Sequence, residues 1–443
     1  MHKLGSAIFI LAICFSIALT SCQTASPTEE TSAQSPPPAN QAQVAPTPMP
    51  TLTPTPPEGT GQLDLHAPEA QDDPPEWKIA FVTFCDMFID EEYRSVKTIM
   101  EKYGQDRVIH RIWPLRFSSE GEKMISILLD IAEDPEVKAL VINPAVINTN
   151  AAVARFRELR DDVFIVYCSP QEDIDEVTRF ADLILEVNHQ AIGNAFVMQA
   201  KAMGAETIVH YSFPRHMASP EHVIRRDEMK KAAEREGIRF VELTAPDPMG
   251  DGGAAAMQEH IAQDLPKQVE RFGKNTAFFG TNCAMQIPLI TKVVETGTIY
   301  PQPCCPSPYH GFPTALGIAS YVPTGEFNPD TGAEMLRRRT TREIIEATRD
   351  GIAARGASGR LSNWPVPASM AWTVIGAEYA IELIEGNVPQ ERGVIDLDVI
   401  SRFSMEYILH TSGESMGGMF VPLEHEGRSI SHFILGIFDY LTN

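Results

Sequence analysis

The stretch VNHQAIGNAFVMQAKAMGAETIVHYSF, residues 187–213, decides how this chain folds. It leaves an apolar, β-branched run, LILEV (183–187), passes through a helix-forming segment (191–205) and enters a second such run, TIVHYSF (207–213). Upstream, KIAFVTF (78–84), VIHRIWP (108–114), ALVINPA (139–145) and VFIVYCSP (163–170) alternate with the helical patterns of residues 91–104, 122–134 and 148–161. Downstream, the alternation restarts with a helix to Gly237, IRFVELT (238–244), a helix over 254–273, TAFFGTN (276–282) and MQIPLITKVVET (285–296). Short apolar strands alternating with helices give parallel sheets joined by βαβ crossovers. Two successive runs predict two Rossmann-like α/β lobes joined by a hinge. Open parallel sheets bind ligands at the carboxyl ends of their strands, so two facing lobes would share one cleft.

The length agrees, because 443 residues exceed what one ordinary core encloses. Hydrophobic residues make up 43% and charged ones 21%, as in a soluble globular protein. A formal net charge of −23 argues against nucleic acid as a partner, since phosphate binding needs clustered Lys and Arg. The run Arg337–Arg339 is diluted by nearby glutamates and reads as a solvated face.

At the amino end, Lys3 precedes an apolar run from Ala7 to Leu19 that is too short to span a bilayer. A charged start, a brief apolar core and small residues describe a signal peptide over residues 1–21. LTSC (19–22) resembles a bacterial lipobox, which implies that Cys22 carries lipid and anchors the protein to the cell membrane outside the cytoplasm. Residues 22–75, rich in Pro, Thr, Ser and Ala, cannot bury enough apolar surface to pack and read as an extended tether. Beyond the leader, Cys85, Cys168, Cys283, Cys304 and Cys305 have no CxxC spacing, so neither a disulfide framework nor a metal site is expected.

Three stretches together resemble the type I periplasmic solute-binding proteins, which share a fold with ribose-binding proteins and LacI-type sensor domains. Residues 187–213 are similar to that superfamily's crossover between lobes. FFGTNCAMQIPLI (278–290) resembles its ligand-contacting strand end, and SMAWTVIGAEYAIELIEGNVP (369–389) its late helix returning to the first lobe. The tether and tail are similar to an uncharacterised group of bacterial lipoproteins within it. The resemblance implies a first lobe of residues 76–190 plus about 368–390, and a second of 191–367 plus about 391–443. It also departs: where ribose-type strands end in an aspartate, this chain has QPCCPSPYHGF (302–312), and residues 325–361 look extended.

The candidate ligand-binding residues are Phe84, Asp86, Met87, Asn143, Ser169, Arg225, Asn282 and Trp364. Asp86 suits either two hydrogen bonds to a ligand or a helix N-cap. The resemblance makes Arg225 the clamping arginine of a second-lobe helix, where it could equally be a surface residue. Asn282 offers donors and an acceptor at a strand end, with Asn143 and Ser169 as weaker versions. Phe84, Trp113 and Trp364 suit stacking on a ligand or simple core packing.

Catalytic readings are poorer. GESMG (413–417) has the nucleophile-elbow pattern, which needs a strand before it and a helix after it; EYILHT (406–411) would have to be that strand. No Lys, Arg or His adjoins Cys283 in sequence to activate it. GDGG (250–253) reads as a turn, and His216 and His222 as solvated histidines. No catalytic residue, cofactor or metal is therefore expected. The implied function is a lipid-anchored binding protein that hands a sugar-like or nucleoside-like ligand to an ABC transporter permease. A tethered sensor signalling to a membrane receptor is the alternative, and a hydrolase comes third.

Overall fold

The computed structural model describes residues 77–84, 91–327, 331 and 333–443. The leader, Cys22, the tether, Asp86 and Met87 lie outside the described residues. In chain order, β1 (Lys78–Thr83), α1 (Glu91–Tyr103), β2 (Val108–Ile112), α2 (Gly121–Ala132), β3 (Val137–Asn143), α3 (Thr149–Arg157), β4 (Phe164–Cys168), α4 (Ile174–Phe180) and β5 (Leu183–Val187) build the first lobe. Then α5 (His189–Ala202), β6 (Thr207–Ser212), α6 (Pro220–Glu236), β7 (Arg239–Thr244), α7 (Gly253–Phe272), β8 (Thr276–Gly280), α8 (Gln286–Thr296) and α9 (Phe312–Leu316) build the second. A hairpin, β9 (Tyr321–Phe327) and β10 (Glu334–Arg338), precedes α10 (Thr341–Ala353) and β11 (Ser362–Asn363). The chain ends with α11 (Ala368–Ile384), α12 (Leu397–Ser412), β12 (Gly418–His425), β13 (Arg428–Phe438) and β14 (Leu441–Thr442).

The first sheet has the order β12-β13-β5-β4-β3-β1-β2, parallel from β13 to β2, with β12 antiparallel at one edge. Its central strands carry continuous apolar runs because helices cover both faces; Ile79–Val82, Leu140–Ile142 and Ile165–Cys168 are all fully buried. The second sheet, β7-β6-β8, is parallel as well. Bridges from Ala277 to Ile299 and from Tyr300 to Leu361, with the β11–β14 pair, extend it. Each lobe thus repeats a sheet whose second strand in space is its first in sequence, as expected of two similar α/β lobes.

The chain crosses between lobes after β5, after β11 and after β13. At the first crossing Asn188 caps α5, its Oδ1 accepting from Ala191 N at 2.8 Å. Helix α11 packs on β3, β4 and β5. Gly376 lets it approach, because a Cβ there would meet Val166 Cγ1 at 2.8 Å.

The tail differs from expectation. The expected place of residues 391–443 is the second lobe, but β13 pairs with β5, and Ile400, Phe403, Phe420, Ile434 and Phe438 join Trp372 in the first-lobe core. The edge of β5 needed a partner and the aromatic faces of the hairpin needed cover. The last residues pair with β11 of the second lobe, and Glu414 meets Arg349 on α10 at 2.8 Å.

Candidate ligand site between the lobes

On the first lobe, β3 ends in Asn143, which is buried and joined to Pro144 by a cis peptide. Its Nδ2 donates to Ser369 O at 2.6 Å and to Thr373 Oγ1 at 2.8 Å, at the start of α11. Its Oδ1 is buried with no hydrogen-bond partner among the described residues. Ser369 Oγ in turn donates to Glu91 Oε2 at 2.6 Å. The other oxygen of Glu91 accepts from Ser307 Oγ at 3.2 Å, in the segment between α8 and α9. Beside this bond the Arg94 guanidinium lies 4.6 Å from the Tyr309 ring centroid. At the end of β5, burial pushes the Glu186 carboxyl up to about 7.

On the second lobe, β6 and β8 end side by side, with Ser212 Oγ 3.0 Å from Thr281 Oγ1. His216 Nδ1 lies 3.1 Å from the same Thr281 oxygen, and its ring lies 4.3 Å from that of His222. Arg225, buried on α6, donates through Nη1 to Cys304 O at 2.9 Å and lies over Phe279. Gly193 sets this position: a Cβ there would meet Arg225 O at 2.6 Å and push α6 off α5. At the start of α5, burial and then the charge of Arg225 push His189 down to about 4.

A group absent from the expected set stands beside this corner. Cys283, Cys304, Cys305 and His310 bring three thiol sulfurs and an imidazole nitrogen within 4.8 Å of one another. Cys283 Sγ lies 3.8 Å from Cys304 Sγ, which lies 3.8 Å from Cys305 Sγ. The neighbouring thiols of Cys304 and then Cys305 push Cys283 below the usual thiol range. The sequence expectation found nothing to activate this thiol because its partners come from a loop some twenty residues away.

The candidates divide clearly. Asn282 does sit at the strand end, but its Oδ1 accepts from Ala284 N at 2.9 Å, capping the turn into α8. Ser169 follows β4 with a φ of 47°, its N–H held by Leu185 O at 3.0 Å. Phe84 packs edge-on against Phe117, 6.0 Å between centroids, in the first-lobe core. Trp364 has no exposed surface and meets Phe438 edge-on, so its ring has no free face for a ligand. A cavity beside it of about 10 Å³ has room for one water. The His216 and His222 rings lie against each other at a tilt of 36°, half-buried rather than solvated. EYILHT lies in α12, and GESMG runs from a helix into a strand, the reverse of a nucleophile elbow. Glu91 was missed; a carboxylate at the start of the first helix was its only signal.

These strand orders and triple crossings define a two-lobed α/β protein with the type I periplasmic binding protein fold. The family model described as "Protein of unknown function (DUF3798)" matches residues 77–362, and the chain belongs to that family. An uncharacterized protein of Treponema pallidum (strain Nichols) is 32% identical over 170 residues, covering 38% of this chain and 79% of its own length. A crystal structure of a candidate transcriptional regulator from Clostridium difficile 630 superposes with a TM-score of 0.72 at 22% identity, covering 83% of this chain and 99% of its own. A sugar ABC transporter structure from Actinomyces odontolyticus ATCC 17982 gives 0.46 at 11% identity, over 72% of this chain and 86% of its own. No helix among the described residues is long and apolar enough to cross a membrane.

Proposed function

We propose that this chain is an extracytoplasmic binding protein, anchored through lipid on Cys22, which captures a small polar ligand between its lobes for an ABC-type importer. The observation that carries the reading is Glu91, whose carboxylate accepts from Ser369 on the first lobe and Ser307 on the second. A single side chain joining both lobes at their strand ends gives a closed state that a ligand favours through its differential affinity. The hydroxyls at the two strand-end corners, and the second lobe's imidazoles pushed down by burial, suit a sugar-like or nucleoside-like ligand, which presents hydroxyls rather than net charge. Asn143 Oδ1, buried and unpaired among the described residues, supplies an acceptor for such a hydroxyl.

The purified protein, screened by thermal shift against D-ribose, D-glucose, adenosine, uridine, L-glutamate and citrate, tests the proposal. A polyol or nucleoside should stabilise it by about 2.7 kcal/mol at a hundredfold excess over Kd. Glu91→Gln should weaken that stabilisation. Stabilisation by citrate or glutamate alone, or turnover of any member, would remove this reading.

A further inference from the structure

We propose that Cys283, Cys304, Cys305 and His310 form a tetrahedral site for a thiophilic d¹⁰ cation, with zinc as the fitting ion. The geometry points there directly. Zinc–thiolate bonds of about 2.3 Å at tetrahedral angles put two sulfurs about 3.8 Å apart. The two sulfur–sulfur separations that involve Cys304 are each 3.8 Å. All four donor groups fall within 4.8 Å of one another, so an ion draws them in by small side-chain rotations. Three sulfurs and one nitrogen match the composition of closed, four-coordinate zinc sites and not the oxygen ligation of magnesium or calcium.

The protein around these donors is built to hold them. Cys283 begins the turn that Asn282 caps at the end of β8. The carbonyl of Cys304 is fixed by buried Arg225, whose positive charge also offsets the excess negative charge of three thiolates. His310 Nδ1 lies 2.9 Å from Cys305 O. Donation of its proton there leaves the lone pair on Nε2, the usual arrangement behind a metal-bound imidazole. Gly311, at a φ of 82°, turns the chain where a Cβ would meet Gln286 Cβ and Ile290 Cδ1 at 3.0 Å. Tyr309 N donates to Ser307 Oγ, the hydroxyl that also reaches Glu91. The ion would therefore clamp the loop of residues 302–311 onto the strand end of the second lobe. The site stands on its own donors and does not depend on which ligand the lobes enclose.

The test uses the full chain, reduced with a non-thiol reductant and stripped of metal. Cobalt(II) should bind one per chain with the intense visible bands of tetrahedral coordination and a near-ultraviolet thiolate charge-transfer band, and zinc should displace it. Cys283 and Cys305 are exposed, so Cys283→Ser and Cys305→Ser should fold even if changes at buried Cys304 do not. Each should lower the charge-transfer intensity by roughly a third and weaken zinc binding more than about a hundredfold, since even loss of an outer partner costs 10–100-fold. The Cys283→Ser/Cys305→Ser double variant should lose the band. A weak octahedral spectrum, binding that survives the double variant, or reduced protein that binds no cobalt and only closes a disulfide on oxidation would each overturn the proposal.

Discussion

Two asparagines stand at equivalent corners of the two lobes, one at the end of β3 and one just beyond β8, and the protein uses them differently. Asn143 commits its amide nitrogen to a helix from the far end of the chain, leaving its oxygen buried without a partner among the described residues. Asn282 commits its oxygen to its own next turn. The first corner is a hydroxyl-rich relay that ends on the Glu91 carboxylate. The second is crowded with imidazoles, thiols and a guanidinium. One residue type at one topological position therefore says little about role; what remains unsatisfied after local packing decides it. Acid should consequently act mainly through the second lobe, and loss of either asparagine should act through the hydrogen bonds its amide makes.

The largest effect tests the acid sensitivity. His210 lies in β6 between Phe240 and Phe279, and burial followed by Arg225 and Arg226 pushes it down to about 3. A histidine whose folded value lies below its unfolded value stabilises the protein fully above the unfolded value. That stability is lost as pH falls from about 6.5 towards 3. Between pH 7.5 and 5, His210 should remove about 2 kcal/mol. Urea denaturation at both pH values should show that His210→Gln loses about 2 kcal/mol less than the parent chain on acidification. His189 and His110 shift the same way, so acid sensitivity should shrink rather than disappear. An unchanged pH dependence in the variant would mean that His210 is not a source of the acid sensitivity.

The next effect tests the first corner. Asn143→Ala removes the 2.6 Å bond to Ser369 O and the 2.8 Å bond to Thr373 Oγ1, while Ser369 O keeps the Thr373 hydroxyl as a donor at 3.2 Å. Losing these two bonds should cost about 1.5 kcal/mol, to be read as a lower urea midpoint at unchanged slope. A variant of unaltered stability would show that the bonds to α11 are not what this residue contributes.

The alternation of strands and helices was legible because a parallel sheet covered on both faces needs continuous apolar runs, and the crossover at 187–213 marked where they restart. The placement of the tail was not legible. A strand pattern over 418–438 records alternation, whereas the choice of sheet edge depends on which strand is left open, and that was β5. Trp364 misled because an aromatic residue near a crossing looks the same in sequence whether it faces ligand or, as here, Phe438. The thiol cluster had no spacing signature, since its members come from a strand end and a loop joined by α8. The departure at QPCCPSPYHGF marked the loop without revealing that Cys283 would meet it.

The smallest effect separates capping from ligand contact at Asn282. Asn282→Ala removes the acceptor for Ala284 N and should cost about 1 kcal/mol, as loss of an N-cap does elsewhere. Asn282→Asp keeps an acceptor of the same length at a helix start and should recover most of that loss. The same pair of variants divides the roles in the cobalt titration, because a cap orients Cys283 without donating to the ion. Asn282→Ala should weaken cobalt binding while keeping the full charge-transfer intensity, and Asn282→Asp should restore the affinity. If instead Asn282→Asp were as unstable as Asn282→Ala, the bond to Ala284 would not be what holds this corner, and the two asparagines would be more alike than their hydrogen bonds indicate.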